Sequence, residues 1–141
     1  ASFQNPWGIT TDGTNLYVSE HGSHTIRKIV ISTGVVTTLA GSGEHGSTPG
    51  STDGTGTSAR FCTPSGLTTD GLNLYVADSG TNRIRKIVIS TGVVTTLAGS
   101  SEGSTDGTGT SASFHSPKGI TSDGTNLYLT DLNNYTIRKI E

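Results

Sequence analysis

The chain has 141 residues and a formal net charge of −2; its 25 Thr, 20 Gly and 18 Ser make up nearly half of it, and only 14% of residues are charged. So many turn-forming and β-branched residues argue against a helical fold, and the near-neutral charge argues against a broad electrostatic grip on nucleic acid. The single cysteine, Cys62, excludes an intrachain disulfide and a multi-cysteine metal centre. No apolar run approaches the ~18 residues of a membrane helix, and no basic-then-apolar leader precedes residue 10, so neither a membrane span nor a signal peptide is expected and no compartment is indicated.

Phe3, Phe61 and Phe114 open three segments of one design: FQNPWGITTDGTNLYVSE, FCTPSGLTTDGLNLYVAD and FHSPKGITSDGTNLYLTD. Residues 26–42 and 84–100 are identical, as are 51–59 and 104–112. In the first unit the pattern predicts strand a over Gly8–Thr11, an Asp12-Gly13 turn, strand b over Leu16–Ser19, a polar turn at Glu20–His24, strand c over Ile26–Ile31, a turn at Ser32-Thr33-Gly34 and strand d over Val35–Ala40. The second unit repeats this over 66–98, and the third stops after strand c, for eleven strands in all. The units are expected as blade 1 at about 3–42, blade 2 at about 61–100 and an incomplete blade 3 at about 114–141, with linking loops at 43–60 and 101–113.

The strands Ile29-Val30-Ile31 and Leu16-Tyr17-Val18 are continuously apolar, the pattern of a sheet covered on both faces. Four-stranded meanders covered on both faces, at a period of about 40 to 50 residues, are the signature of propeller blades. The fold expected is all-β, with antiparallel four-stranded blades.

The run PxGIxxDGxNLYVxDxxxxxIRKI, in its variants at 6–29, 64–87 and 117–140, resembles the NHL repeat, and the appended VTTLAGS…DGTG segment is similar to the extended form in bacterial NHL proteins. The resemblance implies a β-propeller and leaves function open, because NHL propellers include RNA binders, interaction modules, sensor domains and a lyase family. Family members commonly close with six blades, and this chain carries about 2.75. An open arc leaves two apolar blade faces of roughly 330 Å² each. Two copies about a two-fold axis would cover four such faces, roughly 1,300 Å², and would close a six-bladed ring. A C2 homodimer is therefore expected; a nine-bladed trimer and a fragment of a longer parent are the alternatives.

Residues recurring in every unit are best explained by the blade. Asp12, Asp70 and Asp123 precede the turn glycine, while Glu20, Asp78 and Asp131 end strand b, where a carboxylate can accept bonds from the turn's own amides. Asp53 and Asp106 are assigned the same role, with a ring of Ca²⁺-binding carboxylates as the minor reading. The pairs Arg27-Lys28, Arg85-Lys86 and Arg138-Lys139 either solvate an edge of strand c or pair with nearby acids; an anion-binding ring is the minor reading.

Positions where the units differ are the candidates for binding. His21 and His24 lie in the first b–c turn, His45 in the longer linking loop, and His115 where the other units have Gln4 and Cys62. The b–c turns and d–a loops of a propeller open on one face, so these histidines share it. A His-x-x-His pair offers two of the three or four ligands that zinc needs, and spacing fixes no third. Trp7, aligned with Ser65 and Lys118, either stacks on a ligand or packs on a neighbouring blade. With Arg83 and Tyr135, the candidate ligand- or partner-binding positions are Trp7, His21, His24, His45, Arg83, His115 and Tyr135. Cys62 reads as a small buried hydrophobe, and Asn134-Tyr135-Thr136 matches a glycosylation sequon that chance also produces.

No nucleophile–base or paired-carboxylate constellation is present, so no catalytic residue, metal or cofactor is assigned. The expected function is a non-catalytic binding or scaffold module, with a protein or small molecule held on the loop face and no nucleic acid or membrane partner. A metal-dependent lyase-like enzyme and an RNA-binding propeller are the alternatives.

Overall fold

The computed structural model describes residues 1–42 and 49–141. Among the described residues, twelve strands form three antiparallel sheets. The first holds β1 (Pro6–Thr11), β2 (Asn15–Glu20), β3 (Thr25–Val30) and β4 (Val36–Ala40) in that order. The second has the order β5-β9-β8-β7-β6, from β5 (Gly54–Thr55), β6 (Pro64–Thr69), β7 (Asn73–Asp78), β8 (Arg83–Val88) and β9 (Val93–Ala98). The third is β10 (Pro117–Ser122), β11 (Leu127–Asp131) and β12 (Thr136–Ile140). The architecture is all-β and blade-like, as expected, with one strand more than the eleven anticipated: Gly54–Thr55 pairs with Val93 and Val94 at the outer edge of the second sheet.

Each a–b turn is built from its own side chains. Asp12 Oδ1 accepts the amides of Thr14 and Asn15, Gly13 takes a φ of +90° that suits glycine, and the Tyr17 hydroxyl donates to Asp12 Oδ2 at 2.7 Å. Tyr75 with Asp70 and Tyr128 with Asp123 repeat the arrangement. At Asp12, burial opposes the charge, but the Tyr17 hydroxyl and the turn amides outweigh it and hold the carboxyl well below its usual range; Tyr17 itself is pushed up to about 12 by burial and by its bond to Asp12.

Two apolar cores lie between the sheets. Tyr17, Ile26 and Ala40 of the first sheet cluster with Phe61, Leu67, Leu74, Val76, Ile87 and Val94. Ala77, Ile84 and Ala98 cluster with Ala112, Phe114 and Leu129. The second sheet is thus apolar on both faces, which is why its strands do not alternate.

The first strands of the sheets run together and the fourth strands spread apart. A Cβ on Gly8 would meet Ser65 O at 2.6 Å, and one on Gly66 would meet Lys118 O at 2.4 Å, so only glycine admits this approach of β1, β6 and β10. At the outer side the linking loop fills the gap: Gly56 accepts the Gly41 amide and donates to Gly92 O, joining the two sheets.

Candidate functional site

The loops before the first strands and the turns between second and third strands lie against each other. Gly22 N donates to Gln4 O, Gly80 N to Cys62 O and Asn133 N to His115 O, all at 2.9–3.1 Å. Each b–c turn is thereby held against the segment that enters its own sheet.

The carboxylates ending the second strands act differently from expectation. Glu20, Asp78 and Asp131 accept the backbone amides of Gln4, Cys62 and His115, from the segment before the first strand, rather than the amides of their own turn. Each also pairs with the arginine of the third strand: Arg27 with Glu20 at 3.0 Å, Arg85 with Asp78 at 3.2 Å, Arg138 with Asp131 at 2.9 Å. Asp53 and Asp106 likewise bind these arginines, at 2.8 Å from Arg85 and Arg138, instead of capping their own loop. The arginines therefore pair with acids and do not solvate an edge; Arg85 is fully buried. Burial of Asp78 pushes it up to about 6, against the opposing bonds from Thr81, the Cys62 amide and Arg85.

At the mouth where the first strands converge, Trp7 is 57% exposed. It stacks on His21, with ring centroids 5.4 Å apart, and the Lys118 ammonium stands 5.3 Å from the indole ring. Lys118 also reaches Ser65 Oγ at 3.4 Å, so the three aligned positions Trp7, Ser65 and Lys118 meet in one row. Burial, with the charge of Lys118 nearby, holds the His21 pKa below its ordinary value. The cluster offers an aromatic face beside a cation, a surface for a ligand with a flat apolar part and an acidic group.

The other candidates fall elsewhere. His24, at φ +59°, accepts the Thr63 amide on Nδ1 at 3.0 Å, tying the first sheet to the second. Its second-unit counterpart Asn82 accepts the Ser116 amide in the same way. His115 Nε2 is 3.5 Å from Glu102. Arg83 donates to Thr81 O within its own turn, and Tyr135 is 94% exposed. His45 lies outside the described residues. Cys62 is half-buried rather than buried, with its thiol pushed up by burial and by Asp78. The sequon residue Asn134 has its amide bonded to Gly103 O and Asp131 at 2.7 Å. Among the described residues no three His, Cys, Asp or Glu side chains group to hold a metal, and no helix is long and apolar enough to cross a membrane. Lys118 was missing from the sequence candidates; its alignment with Trp7 was the available signal.

Comparison with known proteins fits these repeats. The NHL repeat matches residues 61–87. NHL repeat-containing protein 2 of Bos taurus is 33% identical over the whole chain. The chain belongs to the NHL-repeat family. It spans 21% of the length of that relative, and 14% of the Arabidopsis thaliana Protein SUPPRESSOR OF QUENCHING 1, chloroplastic, which is 30% identical over 96% of the NHL-repeat chain. Among solved structures, an auxiliary nutrient binding protein from Bacteroides ovatus superposes with a TM-score of 0.79 at 28% identity, covering 96% of this NHL-repeat chain and 36% of its own.

Proposed function

We propose that the chain is a non-catalytic binding module built as a half-ring of propeller blades. Two copies close a six-bladed ring about a two-fold axis, and the ring binds its ligand on the face formed by the d–a loops and b–c turns. The observation that carries closure is the contrast between the inner and outer ends of the arc. Ile26 shares a core with Phe61, and Ile84 with Phe114, all at 2% exposure or less; Ile137 is 71% exposed and Phe3 37%. Seating the third sheet of one copy on the first sheet of another sets Ile137 beside Phe3 as Ile84 is set beside Phe114.

The first-strand glycines support the same reading. Gly8 and Gly66 are demanded by the backbone of the next sheet, whereas a Cβ on Gly119 meets only the Thr130 side chain. A neighbouring copy's first strand supplies the missing reason. A Gly119→Val chain is expected to keep its β-sheet circular dichroism and lose self-association; a variant that associates like the parent chain would overturn closure.

The ligand-binding role is supported by the Trp7–His21–Lys118 cluster and by the likeness to a nutrient binding protein. Trp7 is the chain's one tryptophan, so its emission reports directly on this mouth. Small aromatic or sugar carboxylates are expected to shift that emission saturably, with a response weakened about tenfold in Lys118→Gln, whose cation–π contact is gone. Emission unchanged across such a panel would contradict the site.

A further inference from the structure

We infer that the Trp7–His21–Lys118 mouth is an acid-triggered anion clamp. Protonation of the His21 ring sets a second cation beside Lys118, an organic carboxylate is held by both, and loss of that proton loosens it. The inference rests on the reading of this cluster as a ligand site and adds how its affinity is regulated.

The described histidines are engaged in different ways. His24 Nδ1 is committed to the Thr63 amide, and His115 Nε2 faces the Glu102 carboxylate. His21 is half-buried, fixed by its backbone amide, which donates to Asn5 O at 3.0 Å, and by its stack on Trp7. Its ring makes no hydrogen bond among the described residues, so its nitrogens are open to a proton and to a ligand. Lys118 is placed to match: its ammonium meets the indole ring and Ser65 Oγ, and among the described residues it pairs with no carboxylate.

The chargeable groups acting on His21 are Lys118 on β10 and His24 on its own turn, and neither is an acid. The segments around the turn add no charge. Gln4 and Asn5 precede β1; Thr63 and Cys62, whose thiol is pushed up and stays neutral, precede β6. Glu20, next to His21 in the chain, is buried against Arg27, Thr25 and Ser23. Burial and Lys118 together hold the His21 pKa below its ordinary value. A carboxylate against Lys118 cancels that repulsion and pairs with the imidazolium, which the indole face also favours. Ligand and proton therefore strengthen each other's binding by one factor. The ligated pKa is the higher of the two, so affinity is weakest well above pH ~6.5 and rises as pH falls.

The test compares the unmodified chain with His24→Asn, which supplies the acceptor that Asn82 uses, so that acid does not loosen the first seam. Trp7 emission is titrated with benzoate and with galacturonate, both ionised throughout, at pH ~5.5 and ~8, on either side of an ordinary histidine. Benzamide serves as the uncharged comparison. Expected in both chains is binding of the two acids at least about fivefold tighter at the lower pH, with benzamide unchanged. Adding His21→Gln to His24→Asn should make the response flat with pH. Calorimetry in two buffers of different ionisation enthalpy should show proton uptake on binding that vanishes with His21→Gln. Binding of equal strength at both pH values, an equal gain for benzamide, or a slope that survives His21→Gln would overturn the clamp and leave the site standing. No saturable binding of either acid at either pH would overturn the site and the clamp with it.

Discussion

The Arg85 guanidinium lies 5.1 Å from the centre of the Phe61 ring, and with it bridges Asp78 and Asp53. Arg27 over Phe3 and Arg138 over Phe114 repeat the contact at 5.4 and 4.9 Å. A third-strand arginine thus lies over the phenylalanine of the chain entering each sheet and pairs with the acid that ends the sheet's second strand. The side chain of Arg85 is fully buried, as is that of Asp78. Replacing Arg85 with Met should therefore cost about 3–5 kcal/mol, the penalty of leaving a buried carboxylate unpaired. Adding Asp78→Asn should recover part of it. Urea unfolding of the single and double variants measures both, and a single-variant loss under about 1 kcal/mol would contradict the role.

His24 joins sheets only while its Nδ1 is unprotonated, since that atom accepts the Thr63 amide. Burial lowers its pKa below the ordinary value. The folded state thus binds this proton less readily than the unfolded state, so the contribution is intact above pH ~6.5 and lost as pH falls below it. His24→Asn supplies the acceptor that Asn82 uses natively and should remove this part of the acid sensitivity with little loss of stability at pH 7. Thermal unfolding between pH 5 and 8 would show the two curves meeting at high pH and parting at low; parallel curves would refute it.

Two aspartates titrate in opposite directions. Burial raises Asp78 to about 6, whereas at Asp70 burial also opposes the charge but the bonds from Asn73, Leu72 and Tyr75 together overcome it and hold the carboxyl down to about 2. Against an unfolded value of ~3.9, Asp78 withdraws stability as pH rises from ~4 toward ~6, and Asp70 contributes stability present above ~4 that is lost as pH falls toward ~2. Carboxyl-carbon NMR titration should separate the two midpoints on either side of 4. Coincident midpoints would contradict both environments.

The glycines of the first strands give a graded test. Gly66→Val drives a side chain into Lys118 O and should destabilise the chain severely, while Gly119→Val meets only Thr130 within its own chain and should cost the melt only what lost self-association contributes. Circular dichroism melts of the two variants decide it; equal losses would show that β10 is as crowded as β6.

The repeat made the three sheets and their turns legible, because the same Asp-Gly and Ser-Thr-Gly punctuation recurs at fixed spacing. β5 was not, since Gly54–Thr55 has a loop's composition and becomes a strand only when β9 offers its edge. The arginine network was half legible: acid and base types were visible, but Arg85 and Asp53 lie 32 residues apart, and no strand pattern marks a basic residue as buried. The Trp7–Lys118 contact was hidden for a related reason, as the two meet only because glycines let the first strands converge.

The most direct test of the half-ring is the absolute molar mass of the unmodified chain in solution, by light scattering behind a sizing column. Ring closure predicts a single species at twice the 14.5 kDa of one chain. A sharply folding species at the single-chain mass, or one at three times it, would contradict a two-copy six-bladed ring.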